Sequence, residues 1–358
     1  MCKTKTSLPT SVVCTALFFL LTILALAHGH GEQRRQSQDC NLFKGSWIID
    51  QSYPMYNGSE CPFVNPGLNC QKNGRDDNMY LKFRWQPHGC ELSRFDGEKF
   101  LKMNRGKKIM FVGDSLSSNQ WQSLACMLYH TVPFNHTFQI KGPLSTLSFP
   151  EYGVSVMYLK NGFLVDLVVE KRGRILKLDS ISRCSKWKKA DILIFNSYHW
   201  WMHTGTRQTW DYYQVGEDIY RDMSRMLAYK IALTTWAKWV DSYIDFKKTQ
   251  VFFQGVSAVH DRGLDWNEPN AHNCKGQTLP IQGLDYPGKR YPGEEVVKDV
   301  LVKMKNPVYL LDITLLTQLR RDGHPSKYGD DGMDCSHWCL AGVPDTWNQI
   351  LYNILVNN

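Results

Sequence analysis

The 358-residue sequence has no Cys-x-x-Cys pair, no block of basic residues, no internal repeat and no extended low-complexity tract. Each absence removes a class. Without paired cysteine spacing no zinc ligand set stands out, so metal ligands are expected to be none. The net charge of +8 is spread along the chain, which argues against a nucleic-acid partner. A mildly basic surface is compatible with an anionic polysaccharide, but ordinary solvation is the simpler account. The absence of a repeat removes solenoid architectures. What remains is globular in composition, with 43% hydrophobic residues, enough for one large domain and an appendage.

An apolar stretch, Ser11 to Ala27, follows Lys3 and Lys5 and marks the secretory pathway. Ala25-Leu26-Ala27 resembles a cleavage site. Left uncleaved, the stretch sits near the lower limit of about 17 residues for a membrane span and would act as a type II signal anchor. Residues 1–27 are therefore read as signal peptide or signal anchor, and the polar segment 28–38 as a stem. Cysteine usage agrees with that compartment. Cys2 and Cys14 lie in the N-terminal stretch, leaving Cys40, Cys61, Cys70, Cys90, Cys126, Cys184, Cys274, Cys335 and Cys339. Disulfides are the expectation; nine is odd, which leaves an unpaired thiol or an intermolecular bridge, and Cys184, in a Lys/Arg-rich segment, is the candidate unpaired thiol. Asn57-Gly58-Ser59 and Asn135-His136-Thr137 fit the N-glycosylation pattern.

Residues 39–95 are rich in Cys, Gly, Pro and aromatics but poor in aliphatics. They read as a small disulfide-stapled module of loops and short strands. From 96 to 358 the pattern changes to apolar runs separated by helical segments. Lys108–Val112, Asp191–Phe195, Gln250–Phe253 and Pro307–Leu311 are expected buried strands. Apolar residues from Ile219 to Ile244 keep helical spacing. Asp345 is expected to cap a helix whose apolar face is Trp347, Ile350, Leu351, Ile354 and Leu355. The alternation predicts a three-layer α/β domain with a mainly parallel sheet, its site at the carboxyl ends of the strands.

Gly113-Asp114-Ser115 follows the first of these strands and reads as a strand delivering a serine into a tight turn. Asp334-Cys335-Ser336-His337 places a carboxylate and an imidazole three positions apart, as on one helical turn. Together they make a candidate Ser-His-Asp triad of Ser115, His337 and Asp334. Ser115 is equally suited to capping the next helix, and Asp334-x-x-His337 to a surface turn. Asn196 ends another strand, where its amide could bind an oxyanion beside the Ser115 N–H, or form an Asx-turn. Trp200 and Trp201 offer flat faces for sugar rings, or core packing.

The Gly113-Asp114-Ser115 and Asp334–His337 motifs, the Phe195–Trp201 block, the opening Cys40-Asn41-Leu42-Phe43-Lys44-Gly45-Ser46-Trp47 and the closing Trp338–Asn348 run together resemble the plant trichome-birefringence-like proteins. The resemblance extends from about Cys40 to the C-terminus. It implies a PMR5-type N-terminal module, a GDSL/SGNH-like domain and polysaccharide O-acetyltransferase activity in the Golgi lumen. It further implies Ser115 as acetyl-accepting nucleophile, His337 as general base and Asp334 as its orienting carboxylate, with Gly113, Asp114, Asn196, His199, Trp200 and Trp201 as oxyanion or substrate candidates. No bound cofactor is implied; the partners are an acetyl donor, a cell-wall polysaccharide such as xylan, pectin or mannan, and the membrane if the anchor persists. The sequence departs from the family at Tyr198, often Gly, and at Ser257-Ala258-Val259-His260, often Ser-Pro before the histidine; both bear on acceptor specificity. Alternative readings are a secreted polysaccharide acetylesterase using the same triad and a non-catalytic wall-polysaccharide-binding protein.

Overall fold

A computed structural model describes residues 40–182, 184–330 and 332–357; the expected signal segment and stem lie outside the described residues. The chain opens with β1 (Asn41–Ile49) and β2 (Phe83–His88), then α1 (Gly97–Met103), β3 (Lys108–Gly113), α2 (Ser115–Thr131), β4 (Thr137–Lys141), β5 (Leu144–Phe149) and β6 (Val154–Lys160). It continues through β7 (Asp166–Glu170), β8 (Gly173–Lys177), β9 (Ile192–Phe195), β10 (Tyr212–Val215), β11 (Asp218–Tyr220) and α3 (Arg225–Tyr243). It closes with β12 (Gln250–Gln254), α4 (Pro292–Leu301), β13 (Tyr309–Leu311), α5 (Thr314–Gln318), β14 (Ser326–Gly329), β15 (Gly332–Asp334) and α6 (Val343–Asn357).

The four apolar runs are the heart of a seven-stranded sheet ordered β13-β12-β9-β3-β6-β5-β4. Its first five strands are parallel, and β5 and β4 extend it antiparallel. Successive strand residues point to opposite faces. Ile109 and Phe111 of β3 accordingly pack with α2, α6 and the N-terminal module on one side, whereas Met110 and Val112 pack with α3 and α4 on the other. Both faces are buried, which is why these runs are apolar without alternation.

Three local expectations are corrected. Ile219 belongs not to a helix but to β11, paired with β10 across a turn in which Gly216 takes a φ of +58°; the helix starts only after Ser224. Asp345 lies inside the first turn of α6, where its carboxylate reaches back to the Gly342 N–H at 2.8 Å. Asp334-x-x-His337 is not a helical turn: Asp334 ends β15, and its Oδ1 accepts from the N–H groups of Ser336 (2.9 Å) and His337 (3.0 Å).

The N-terminal module does not stand alone. Trp47, Tyr56, Phe63, Phe83 and Trp85 share one core with α2 and α6, and the Trp47 indole donates to the Leu316 carbonyl at 2.8 Å. Disulfides join Cys40 to Cys90, Cys61 to Cys126, Cys70 to Cys339 and Cys274 to Cys335. Two of these stitch the module to the larger domain. Cys184 is the free cysteine among the described residues. None of the described helices is long and apolar enough to cross a membrane.

Candidate active site

Strand β3 ends at Gly113, where close packing admits no side chain: a Cβ there would collide with the Asn196 carbonyl and come within 2.9 Å of the Ser117 Cβ. The chain then turns at Asp114 into α2. Asp114 caps this helix, its Oδ1 accepting from the Leu116 N–H at 2.9 Å. Its Oδ2 accepts from the backbone N–H groups of Tyr198 (3.3 Å) and His199 (3.1 Å). The carboxylate therefore ties the end of β3 to the loop after β9 and leaves Ser115 as the first residue of α2.

Ser115 lines an open cleft of about 710 Å³. Asp334, Ser336 and His337 line it too, carried there by β15 and the turn after it. The pair is tightly made: His337 Nδ1 lies 2.8 Å from Asp334 Oδ2. Ser115 and His337 meet as walls of this cleft, and no direct hydrogen bond joins them among the described residues; such bonds are commonly long before substrate binds.

The electrostatics follow from the pairing. Burial of Asp334 favours its neutral form, yet the ring and backbone of His337 and the Ser336 N–H overcome it and hold the carboxyl far below the usual carboxylate range. Burial of His337 disfavours imidazolium, but the Asp334 hydrogen bond and charge, with a smaller contribution from Asp114, raise its pKa above 6.5. Arg207 opposes the rise. With Nδ1 occupied, Nε2 is the nitrogen available for proton exchange.

The backbone of the histidine turn is gripped from several sides. Asn119 of α2, fully buried, accepts from the Trp338 N–H at 2.8 Å and donates to the Trp338 carbonyl at 3.2 Å. The Trp338 indole donates to Ser257 Oγ at 2.8 Å. Cys335 and Cys339, on either side of His337, are bonded to Cys274 and Cys70.

Several sequence candidates are not part of the cleft wall. Trp201 is completely buried among Phe163 and Tyr229, its indole donating to Ser197 Oγ at 2.9 Å. It presents no face to a sugar, which corrects the platform expectation. Trp200 is half-buried over Gly162, with Lys160 Nζ 5.4 Å from its ring. His199 is buried, its Nε2 at 3.0 Å from the Ser257 carbonyl, and burial pushes its pKa down. Asp114 is likewise inaccessible, so its task is structural. Asn196 sits beside Gly113, its N–H donating to Val112 O at 2.9 Å, and its buried Oδ1 has no partner among the described residues. Tyr198 packs on Gly293, Tyr229 and Tyr291 rather than shaping the acceptor groove; of the other departure, Val259 reaches the cleft.

The cleft also recruits residues that sequence reasoning missed. His203 and Arg207 come from the loop after β9, Asp261 and His272 from the loop after β12, and Asn65 and Gln122 from the module and α2. Asn65 is fixed there by its N–H donating to Gln122 Oε1 at 2.6 Å. No local motif marks these polar residues; only the fold assembles them.

Residues 92–354 match the family model of the GDSL/SGNH-like acyl-esterase family found in Pmr5 and Cas1p, and residues 38–91 match the PMR5 N-terminal domain. Among Arabidopsis thaliana proteins, trichome birefringence-like 42 is 53% identical over 96% of this chain and 98% of its own length. Trichome birefringence-like 41 is 52% identical over 94% of each chain, and trichome birefringence-like 43 is 48% identical over 98% of each. With a serine at the start of α2, an Asp–His pair across the cleft and a family model covering most of its length, the chain belongs to the GDSL/SGNH-like acyl-esterase family.

Proposed function

We propose that the protein is a polysaccharide O-acetyltransferase acting through an acetyl-serine intermediate. The observation that carries the proposal is that Ser115 and the Asp334–His337 pair line one cleft. A neutral serine is a poor nucleophile, and an imidazole raised in basicity by a carboxylate is suited to take its proton. In this reading Ser115 Oγ attacks the acetyl carbonyl of the donor while His337 Nε2 accepts the hydroxyl proton, then returns it to the leaving group. The Ser115 N–H and the positive end of α2 stabilise the oxyanion. His337 next deprotonates a sugar hydroxyl, which takes the acetyl group and frees Ser115. Side chains supply nucleophile and base, so the sequence calls for no bound metal or redox cofactor.

The acceptor we infer is a cell-wall polysaccharide. An open, polar cleft suits an extended chain better than an enclosed pocket would. The four disulfides fit a luminal domain of the secretory pathway, and residues 11–27 would tether it in the Golgi membrane or, if cleaved, release it to the wall. Asn57 and Asn135 are both exposed, in keeping with glycosylation there. The same open cleft favours a second reading, hydrolysis of acetylated polysaccharide, because water reaches an acyl-enzyme as readily as a sugar does.

The test pairs an acetyl donor with deacetylated xylan, pectin and mannan, beside the acetylated polymers without donor. Mass gain identifies a transferase and acetate release an esterase. Ser115→Ala should abolish both activities and the acetylated-enzyme mass adduct while leaving the thermal transition within a degree or two. Near-full turnover in that variant would remove the triad mechanism.

A further inference from the structure

Behind the catalytic turn, on the side away from the cleft, lie two more histidines that the proposed chemistry does not use. His260 follows β12 and His324 precedes β14; they are 0% and 1% exposed. Their inner nitrogens, His260 Nδ1 and His324 Nε2, are 2.7 Å apart. Their outer nitrogens each meet a backbone carbonyl: His260 Nε2 lies 2.9 Å from Gln318 O, and His324 Nδ1 lies 2.6 Å from the carbonyl of His337 itself.

A carbonyl only accepts, so both outer nitrogens must carry hydrogen, and a neutral imidazole has one N–H to give. Two neutral rings would therefore face each other with two lone pairs at 2.7 Å, a repulsive contact. A hydrogen bond there needs a third proton.

We propose that His260 and His324 share one extra proton between their inner nitrogens, and that this bridged pair is a positioning device for His337, holding its backbone in register with the cleft. The second half rests on the reading of His337 as general base; the first does not. The turn is gripped a second time by main chain, since the His260 backbone N–H donates to the Cys335 carbonyl at 3.0 Å. The Trp338 indole stacks on His324 with centroids 4.0 Å apart, an arrangement that favours a cationic ring.

The charged groups around the pair come from every neighbouring element. Arg75 of the N-terminal module donates to the His324 carbonyl at 3.1 Å and is paired with Asp77. Arg320 is paired with Asp322 after α5, Arg321 with Glu268, and Arg262 with Asp265. Asp261 is the next residue, the Tyr286 ring lies 6.3 Å from His260, and the Asp334–His337 pair lies beyond His324. The nearby arginines are thus neutralised, and among the described residues no carboxylate is hydrogen-bonded to either ring. Burial drives both histidines toward neutrality, so the bridge opens as pH rises and the proton leaves.

Histidine-selective ¹⁵N NMR of the wild-type protein counts the protons directly. Three ring N–H protons on the pair, one coupled to nitrogens of both rings, is the expected result; two, with no coupling across the rings, would overturn the shared proton whether or not the triad reading holds. Kinetics test the positioning role. His260→Leu removes the bridge, and should lower kcat by ten-fold or more and displace the pH midpoint assigned to His337. His260→Asn, whose amide N–H can reach a neutral His324, should restore most of that loss without a shared proton. If His260→Leu leaves both kcat and the midpoint unchanged, or if His260→Asn is as damaged as His260→Leu, the positioning role is wrong. Ser115→Ala separately decides whether the triad itself is correct.

Discussion

Asn119 should be worth more to catalysis than its distance from the substrate suggests, and Asn119→Leu tests this. The substitution keeps side-chain volume but deletes both bonds to the Trp338 backbone, 2.8 and 3.2 Å long. An orphaned buried polar group costs about 1–3 kcal/mol, so the two together cost about 2–6 kcal/mol, a large part of a typical stability of about 5–15 kcal/mol. Trp338 follows His337 directly, so the lost anchors let the imidazole drift relative to Ser115; a misplacement of about 1 Å is enough for roughly a hundred-fold loss of rate. Urea denaturation gives the stability, and single-turnover acetylation of Ser115 gives the chemical step. Ser257→Ala is the internal comparison: it orphans only the Trp338 indole N–H, costs about 1–3 kcal/mol, leaves both backbone anchors in place and should slow acetylation far less. A native-like midpoint and an unchanged acetylation rate in Asn119→Leu would show that the clamp does not set the histidine's position.

Other consequences follow from the same geometry. His337 must be neutral to act as a base and its pKa is raised above 6.5, so kcat/KM should climb with pH through a midpoint above 6.5; Arg207→Ala removes an opposing positive charge and should move that midpoint higher still. Asp345, buried and hydrogen-bonded by Tyr56 and Ser123, has its pKa lifted from 3.8 to about 6 by burial. Its protonated form is the one the fold prefers, so its contribution to stability is fully present below about pH 3.8 and lost as pH rises through about 6, by roughly 3 kcal/mol. Asp345→Asn should erase this descending step from the difference between the two proteins' stability-pH curves measured by urea denaturation. Cys40–Cys90 includes an exposed cysteine, whereas Cys274 and Cys335 are 2% and 7% exposed. Mild reduction should therefore open the first bridge with activity intact, and activity should fall only when mass mapping finds Cys274 and Cys335 free.

The sheet was legible because its central strands are buried on both faces and so appear as unbroken apolar runs. The antiparallel extension was not: every residue of β4 is exposed, so it carries no apolar signature, and its existence depends on pairing with β5. The small sheet of β7, β8, β10 and β11 was hidden for a related reason: two short hairpins are joined by the pairing of β8 with β10, between which β9 leaves for the large sheet. In the site, the serine turn and the Asp–His spacing were visible as local motifs. Their mutual placement depends on sheet topology. The tryptophan doublet misled because a 3-10 turn, His199–Met202, points adjacent side chains in different directions: Trp201 goes into the core, while Trp200 stays half-buried.

Three of the residues that sequence reasoning missed, Asn119, His260 and His324, share one property: they hold the backbone of the histidine turn and do not line the cleft. Asn119 precedes Trp338 by 219 positions, and His260 precedes His324 by 64. Nothing in the immediate surroundings of any of them announces the role. The turn itself explains why such supports accumulate. Between Asp334 and Val343 the chain has no regular secondary structure, so it has no ladder of backbone bonds to hold a histidine within the fraction of an ångström that proton transfer requires. Two disulfides, the asparagine clamp and the histidine pair take the place of that ladder. Because they come from the N-terminal module, α2, and the loops after β12 and α5, the turn can reach its geometry only when the whole chain has folded around it. The N-terminal module supports the site from two sides: through Cys70–Cys339 and the Arg75 bond to the His324 carbonyl it holds the histidine turn from behind, while its Asn65 lines the cleft in front.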